Sequence, residues 1–179
     1  MSEITADPIE NTKDDFIEPL FYGVSTKKFV VLSIFTWGLY PLYWFFKNFS
    51  KYEKRYQEGS IPFLRAIFSP LFAYSLFTVI NAELENRGSR KRLAAGPLAL
   101  AYFLLNAASR FLPEPYALVS LLVFIPLLGA NSSINTLNLE EYSAYVPDSR
   151  FTWINWLFLL IGGAFTFLVI VGLIVGPNA

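Results

Sequence analysis

The sequence predicts an all-α polytopic membrane protein, and three observations carry that prediction. Five stretches, residues 29–46, 66–82, 93–109, 115–139 and 151–179, contain no formally charged side chain. A helix of about 20 apolar residues spans the hydrocarbon core of a bilayer. Apolar residues make up 54 % of the chain and charged residues 16 %, against about a quarter charged in soluble domains. The last stretch has no period-two alternation, which argues against a barrel of membrane strands. The expected architecture is three transmembrane helices, 93–109, 115–139 and 151–176, preceded by two kinked hydrophobic helices that either span or are re-entrant or interfacial.

Residues 1–27 read as an acidic N-terminal tail, disordered or loosely docked. They carry Glu3, Asp7, Glu10, Asp14, Asp15 and Glu18, are broken by Pro8 and Pro19, and lack helical periodicity. A basic start followed by an apolar core is absent there, so no cleavable signal peptide is expected. Residues 28–179 form the predicted single helical membrane domain, with Lys27 and Lys28 at its boundary. The first hydrophobic helix, 29–46, would span about 27 Å if straight, but Gly38 and Pro41 predict a kink or a break in it. The second, 61–82, has Arg65 one turn inside its start and Pro70 interrupting it. The third and fourth read as a helical hairpin turned by Pro113 and Pro115, with Pro126 placed to bend the fourth. The fifth opens on Trp153 and Trp156, aromatic anchors suited to an interface.

Basic residues set the expected orientation. If all five segments cross, 8 basic residues face the N-terminal side and 6 the other. If the first two dip in and return, thirteen of the 14 share one side and only Arg110 lies opposite. Both arrangements put the N-terminus in the cytoplasm and the C-terminus outside.

The chain contains no Cys and no His. That removes disulfides, thiol nucleophiles, imidazole acid–base chemistry and the commonest zinc ligands. Neighbouring carboxylates such as Asp14/Asp15 and Glu140/Glu141 point apart on regular structure. No catalytic residue, metal or cofactor is therefore expected. A net charge of zero gives no electrostatic footprint for nucleic acid.

Three constellations remain. Thr36, Trp37, Tyr40, Tyr43, Trp44 and Lys47 form a dense aromatic group. Thr36, Tyr40, Tyr43 and Lys47 share one face if the helix is continuous. The group reads as a contact surface for lipid headgroups or a partner helix, or as an interfacial aromatic belt around a kink. Asn131, Asn135 and Asn138 make a narrow polar stripe at helical spacing. It reads as a polar pathway or ligand site, or as a set of hydrogen bonds between helices. Gly162-Gly163 and the Gly172/Gly176 pair offer smooth surfaces for close helix packing or dimerisation. Beside these lie juxtamembrane basic residues, Arg65, Arg87, Arg90, Lys91 and Arg92, which attract anionic lipid or simply signal topology.

The order Thr36-x-Gly38-x-Tyr40-x-x-Tyr43-Trp44-x-x-Lys47-Asn48 resembles the signature of a family of small, uncharacterised bacterial integral membrane proteins, a domain of unknown function. The resemblance continues through Arg65-Ala66-Ile67-Phe68, Tyr74-Ser75-Leu76-Phe77, Ile134-Asn135-x-x-Asn138 and Ile154-Asn155-Trp156, and covers most of residues 22–172. Pro41 departs from the pattern. The resemblance implies a bacterial inner-membrane protein and no particular activity. The functional expectation is a non-enzymatic module that binds membrane lipids or scaffolds another membrane protein or a second copy of itself. The alternative is a small oligomeric channel or transporter that uses the polar stripe of the fourth segment.

Overall fold

A computed structural model describes residues 19–111, 119 and 122–175. Those residues form seven α-helices: α1 Thr26–Phe35, α2 Leu39–Tyr56, α3 Pro62–Ile67, α4 Ser69–Asn86, α5 Ala95–Phe111, α6 Ile125–Glu141 and α7 Trp153–Val175. No strand occurs among the described residues. An isolated parallel bridge joins Val24 to Asp148.

The prolines expected to kink helices instead start them. The first hydrophobic stretch is two helices, because Trp37 and Gly38 take positive φ values of 52° and 84°, a backbone region that ends a right-handed helix and suits glycine. Pro41 then lies in the first turn of α2, where backbone N–H groups have no helical partner and a missing one costs little. The second stretch is likewise divided at Phe68. Pro62, Pro70 and Pro126 sit at the first or second position of α3, α4 and α6.

Leu20, Phe21 and Val24 are buried in the core with Phe29, Trp44 and Phe45, so the packed chain begins before the first helix. Residues 1–18 of the expected tail, the turn at 113–115 and Gly176 lie outside the described residues.

Charged side chains gather at one end. The Tyr56 hydroxyl at the end of α2 donates to Glu83 near the end of α4 at 2.6 Å. Arg55 and Arg87 meet Glu141 at the end of α6, at 3.6 and 3.3 Å. Ser89 donates to Glu140 at 2.9 Å, and Lys51 donates to the Pro19 carbonyl at 3.1 Å. The segments 19–28, 51–56, 83–92 and 140–150 therefore share a single end, and α1–α2 and α3–α4 are both hairpins that leave it and return.

α6 is the central helix, with 56 % of its apolar window buried, and packs on α1, α4 and α5. α7 is the reverse: 6 % of its window is buried. Among the described residues, Leu122–Glu141 and Asn155–Gly172 are the two segments long and apolar enough to cross a membrane, and Ala95–Ala108 of α5 is a shorter apolar helix. α7 runs parallel to α1 and rests on it through its smallest residues. The Phe35 carbonyl sits where a Cβ on Gly162 would be, and the Phe35 ring lies against Gly163. Alongside, the Trp37 indole donates to Thr166 Oγ1 at 3.1 Å and meets the Phe165 ring edge-on at 5.1 Å. Val175 lies nine residues, about 14 Å of helix, beyond Thr166.

Filling the Gly162 contact should therefore undock α7. Gly162→Val is expected to cost at least about 1–3 kcal/mol, the usual penalty of overpacking. Thermal unfolding in detergent micelles, compared with the same change at Gly172, which has no neighbour within 4 Å, checks this.

Candidate functional site: an asparagine cradle and an aromatic cleft

Residues 20–25 lie among the helices without belonging to one. A non-helical segment inside a bundle has no ladder for its N–H and C=O groups, and each one left unpaired costs free energy. Carboxamides solve this, since one Asn side chain both donates and accepts and so can pair with a whole residue's backbone. Asn131 Oδ1 accepts from the Val24 N–H at 3.1 Å while its Nδ2 donates to the Val24 carbonyl at 2.6 Å. Asn48 does the same for Tyr22, at 3.0 and 3.4 Å. Asn135 adds a second donor to the Val24 carbonyl at 3.0 Å, and Asn138 donates to the Phe21 carbonyl at 3.0 Å. Gly23 permits this approach: a Cβ there would collide with Asn135 Oδ1 and the Tyr145 hydroxyl.

The other edge of the segment belongs to Asp148. The Ser25 N–H donates to the Asp148 carbonyl at 3.1 Å, and the Asp148 N–H to the Gly23 carbonyl at 3.2 Å. The Asp148 carboxylate accepts from the Tyr22 hydroxyl at 2.7 Å and from the Lys28 ammonium at 2.9 Å. Lys28 is 3 % exposed and also donates to the Arg150 carbonyl at 2.7 Å. Burial raises the Asp148 carboxyl pKa, but hydrogen bonds from Lys28 and Tyr22 and the Lys28 charge outweigh it and hold the group below its ordinary value. Burial, with Asp148 close by, pushes the Tyr22 hydroxyl far up, so it remains a donor.

The polar stripe thus faces protein backbone. Asn131, Asn135 and Asn138 each donate a hydrogen bond to a backbone carbonyl of residues 21–24. The stripe and the aromatic group, separate in the sequence, are one unit here, since the Trp44 indole donates to Asn131 Oδ1 at 3.2 Å. Asp148 and Asn48 complete the unit. Sequence reasoning gave neither a role at this site; Asn48 closes the aromatic motif, and Asp148 is a lone loop carboxylate without a pattern.

The face shared by Thr36, Tyr40, Tyr43 and Lys47 survives the break between α1 and α2. Thr36 Oγ1 donates to the Leu32 carbonyl at 2.7 Å and accepts from the Tyr40 N–H at 2.9 Å, stitching the two helices. The Tyr40 and Tyr43 rings lie 6.0 Å apart, and the Lys47 ammonium sits 5.9 Å from the Tyr43 ring centre. Trp37 and Trp44 serve packing instead, against α7 and in the core. Thr36, Tyr40 and Tyr43, with Leu32 and Leu39, form one side of a cleft of about 410 Å³. Thr152, Asn155 and Phe158 of the α7 end form the other.

The basic residues separate by role. Arg65 pairs with Glu58 at 3.6 Å and stacks near Phe49 and Phe72. Arg87 bridges Glu83 and Glu141. Lys91 donates to Ser132 and Thr136 at 2.7 and 3.1 Å, and Arg92 donates to the Ser89 carbonyl at 2.9 Å. Arg90 is exposed.

No protein-family model matches the chain, and neither does any curated protein or solved structure.

Two outcomes follow from the cradle. Asn131→Leu strips partners from the Val24 backbone and the Trp44 indole. It should cost at least about 2 kcal/mol, given ~1–3 kcal/mol for each buried group left unpaired, measured by denaturant titration in micelles. Asp148→Asn should destabilise by a constant amount across neutral and mildly acid pH. A carboxyl whose pKa is depressed on folding stabilises above its unfolded value and loses that contribution as pH falls through the folded one. The gap in Tm between wild type and Asp148→Asn should thus close only below about pH 3.8, the ordinary value of the group.

Proposed function

We propose that this chain is a non-enzymatic integral membrane protein of a bacterial inner membrane that binds membrane lipid beside the α1–α2 hairpin. The observation that carries the reading is the aromatic cleft, which opens next to a helix almost wholly unburied and apolar. Leu160, Phe167 and Leu168 of α7, Phe63, Leu64 and Phe68 of α3–α4, and Leu100 and Leu104 of α5 are all exposed. Soluble monomers rarely leave contiguous apolar surface of this kind.

In this reading α5, α6 and α7 cross the bilayer and the two hairpins are re-entrant. The shared polar end supports it. Among the described residues, every charged position except Arg110 falls in 27–28, 47–65, 83–92 or 140–150, twelve basic against seven acidic. Such an excess marks a cytoplasmic face, with the N-terminus on that side and the C-terminus in the periplasm. α1 is 10 residues long, about 15 Å, half the ~30 Å of hydrocarbon. α7, at 23 residues, reaches about 35 Å. The likeness to a family of small bacterial membrane proteins belongs to the same reading.

A second reading, a scaffold for a partner helix or a second copy, draws on the unpartnered sides of α7. The channel alternative would need Asn131, Asn135 and Asn138 free to line a path, and their amides are occupied by backbone.

Single-cysteine variants test the orientation, the native chain having no Cys. Lys54→Cys and Arg90→Cys should both react with a membrane-impermeant maleimide in inside-out vesicles and stay unmodified in intact cells. Periplasmic labelling of Lys54→Cys would overturn the re-entrant arrangement.

A further inference from the structure

The cleft beside the α1–α2 hairpin has a polarity gradient along its length. Thr152 and Asn155 lie near the charged end, just after the loop that carries Asp148 and Arg150, and Tyr43 lies one turn from Lys47. Deeper in are Leu32, Leu39 and Phe158. On one side the wall is α7, whose outer surface is apolar and exposed. A ligand suited to this shape is an amphiphile lying parallel to the helices, with its head at the charged end.

Size and charge narrow the class. About 410 Å³ falls in the lower part of the ~300–1,000 Å³ range of small-molecule sites, room for one hydrocarbon chain. Lys47 holds no carboxylate at ion-pair distance among the described residues; its ammonium rests over the Tyr43 ring. Its neighbours on the charged end differ. Lys28 is neutralised by Asp148 and Arg87 by Glu83 and Glu141. Lys47, against the Tyr43 ring that lines the cleft, is thus available to an anion, and the end as a whole carries a basic excess. The Asn155 carboxamide makes no side-chain hydrogen bond within the described residues, whereas its backbone N–H is capped by Thr152 Oγ1 at 3.4 Å.

We infer that this cleft is a binding site for one anionic glycerophospholipid. One acyl chain lies between Leu32, Leu39 and Phe158, the phosphate pairs with Lys47, and the ester region meets Asn155. The second chain stays in the surrounding leaflet. The inference rests on the membrane reading above and names the lipid class and its seat. An ammonium beside Tyr43 selects for headgroup charge, and the depth of the hairpin selects for a chain in the same leaflet.

The test uses the full-length protein. Retention in the membrane pellet after an alkaline carbonate wash checks the membrane reading alone, and the lipid site is then read separately. Protein delipidated in mild detergent is titrated with phosphatidylglycerol or phosphatidylcholine and followed by native mass spectrometry. A single phosphatidylglycerol adduct is expected, favoured at least about tenfold over phosphatidylcholine, a ratio that corresponds to about 1.4 kcal/mol. Lys47→Gln should erase that preference, and a preference that survives the change would overturn the pairing. Leu39→Trp fills the cleft from a position already 60 % exposed and should abolish the adduct of either lipid; Asn155→Trp fills it from the opposite wall and should do the same. Each variant is first matched to wild type in elution volume and Tm. A carbonate-resistant protein that takes up no lipid, an adduct indifferent to both tryptophans, or a dimer displaced by Leu39→Trp would each overturn the site.

Discussion

Buried peptide groups must be hydrogen-bonded, and residues 21–25 meet that demand without belonging to any helix or sheet. Their backbone is paired by side chains from α2 and α6 and by the backbone of the loop before α7. The arrangement locks three distant parts of the chain to one short segment. Trp44 joins the same network through Asn131, so the aromatic core and the amide cradle hold each other in place. Lys28 extends it by pairing with Asp148 and the Arg150 carbonyl, which positions the start of α7. The cleft owes its second wall to that bond and to the glycines under Phe35.

The rest of the architecture follows from where polar groups are allowed. Each short hairpin turns at its uncharged end, Trp37–Gly38 in one and Phe68 in the other, and returns with its charges to the common face. Prolines open three of the helices, at positions where a missing N–H is harmless. The result is a charged cap held together by Arg55, Arg87, Glu83, Glu140 and Glu141, above a body whose outer surface is aromatic and aliphatic.

Much of the helical framework was legible in one dimension. Charge-free runs located α5 to α7 within a few residues at most described ends, although α6 starts at Ile125. Gly38 marked the break in the first run. Pro41 and Pro126 misled, because a proline signals a kink or a helix start with equal force until the helix boundary is known. The spacing of Asn131, Asn135 and Asn138 was visible, and so was their need for partners. Those partners lie at 21–24, a run too short to show periodicity and placed in what read as a tail. The Trp44–Asn131 bond joins residues 87 apart, and no local pattern encodes it. The cleft was half legible: Thr36, Tyr40 and Tyr43 shared a predicted face, but their counterparts on α7 are ordinary interfacial residues.

The cradle also imposes a timetable. Residues 21–24 leave the ribosome before their partners on α6, which lie more than 100 residues later; the Val24–Asn131 pair is separated by 107 positions and the Lys28–Arg150 pair by 122. At about 5–20 residues per second, the segment waits roughly 5–20 s for Asn131 to be made. Until then the α1–α2 hairpin has neither its cradle nor its α7 wall. α7, made long after α1, is therefore what completes that hairpin, and a chain truncated before residue 148 would leave the Gly23 carbonyl and the Ser25 N–H without their partner.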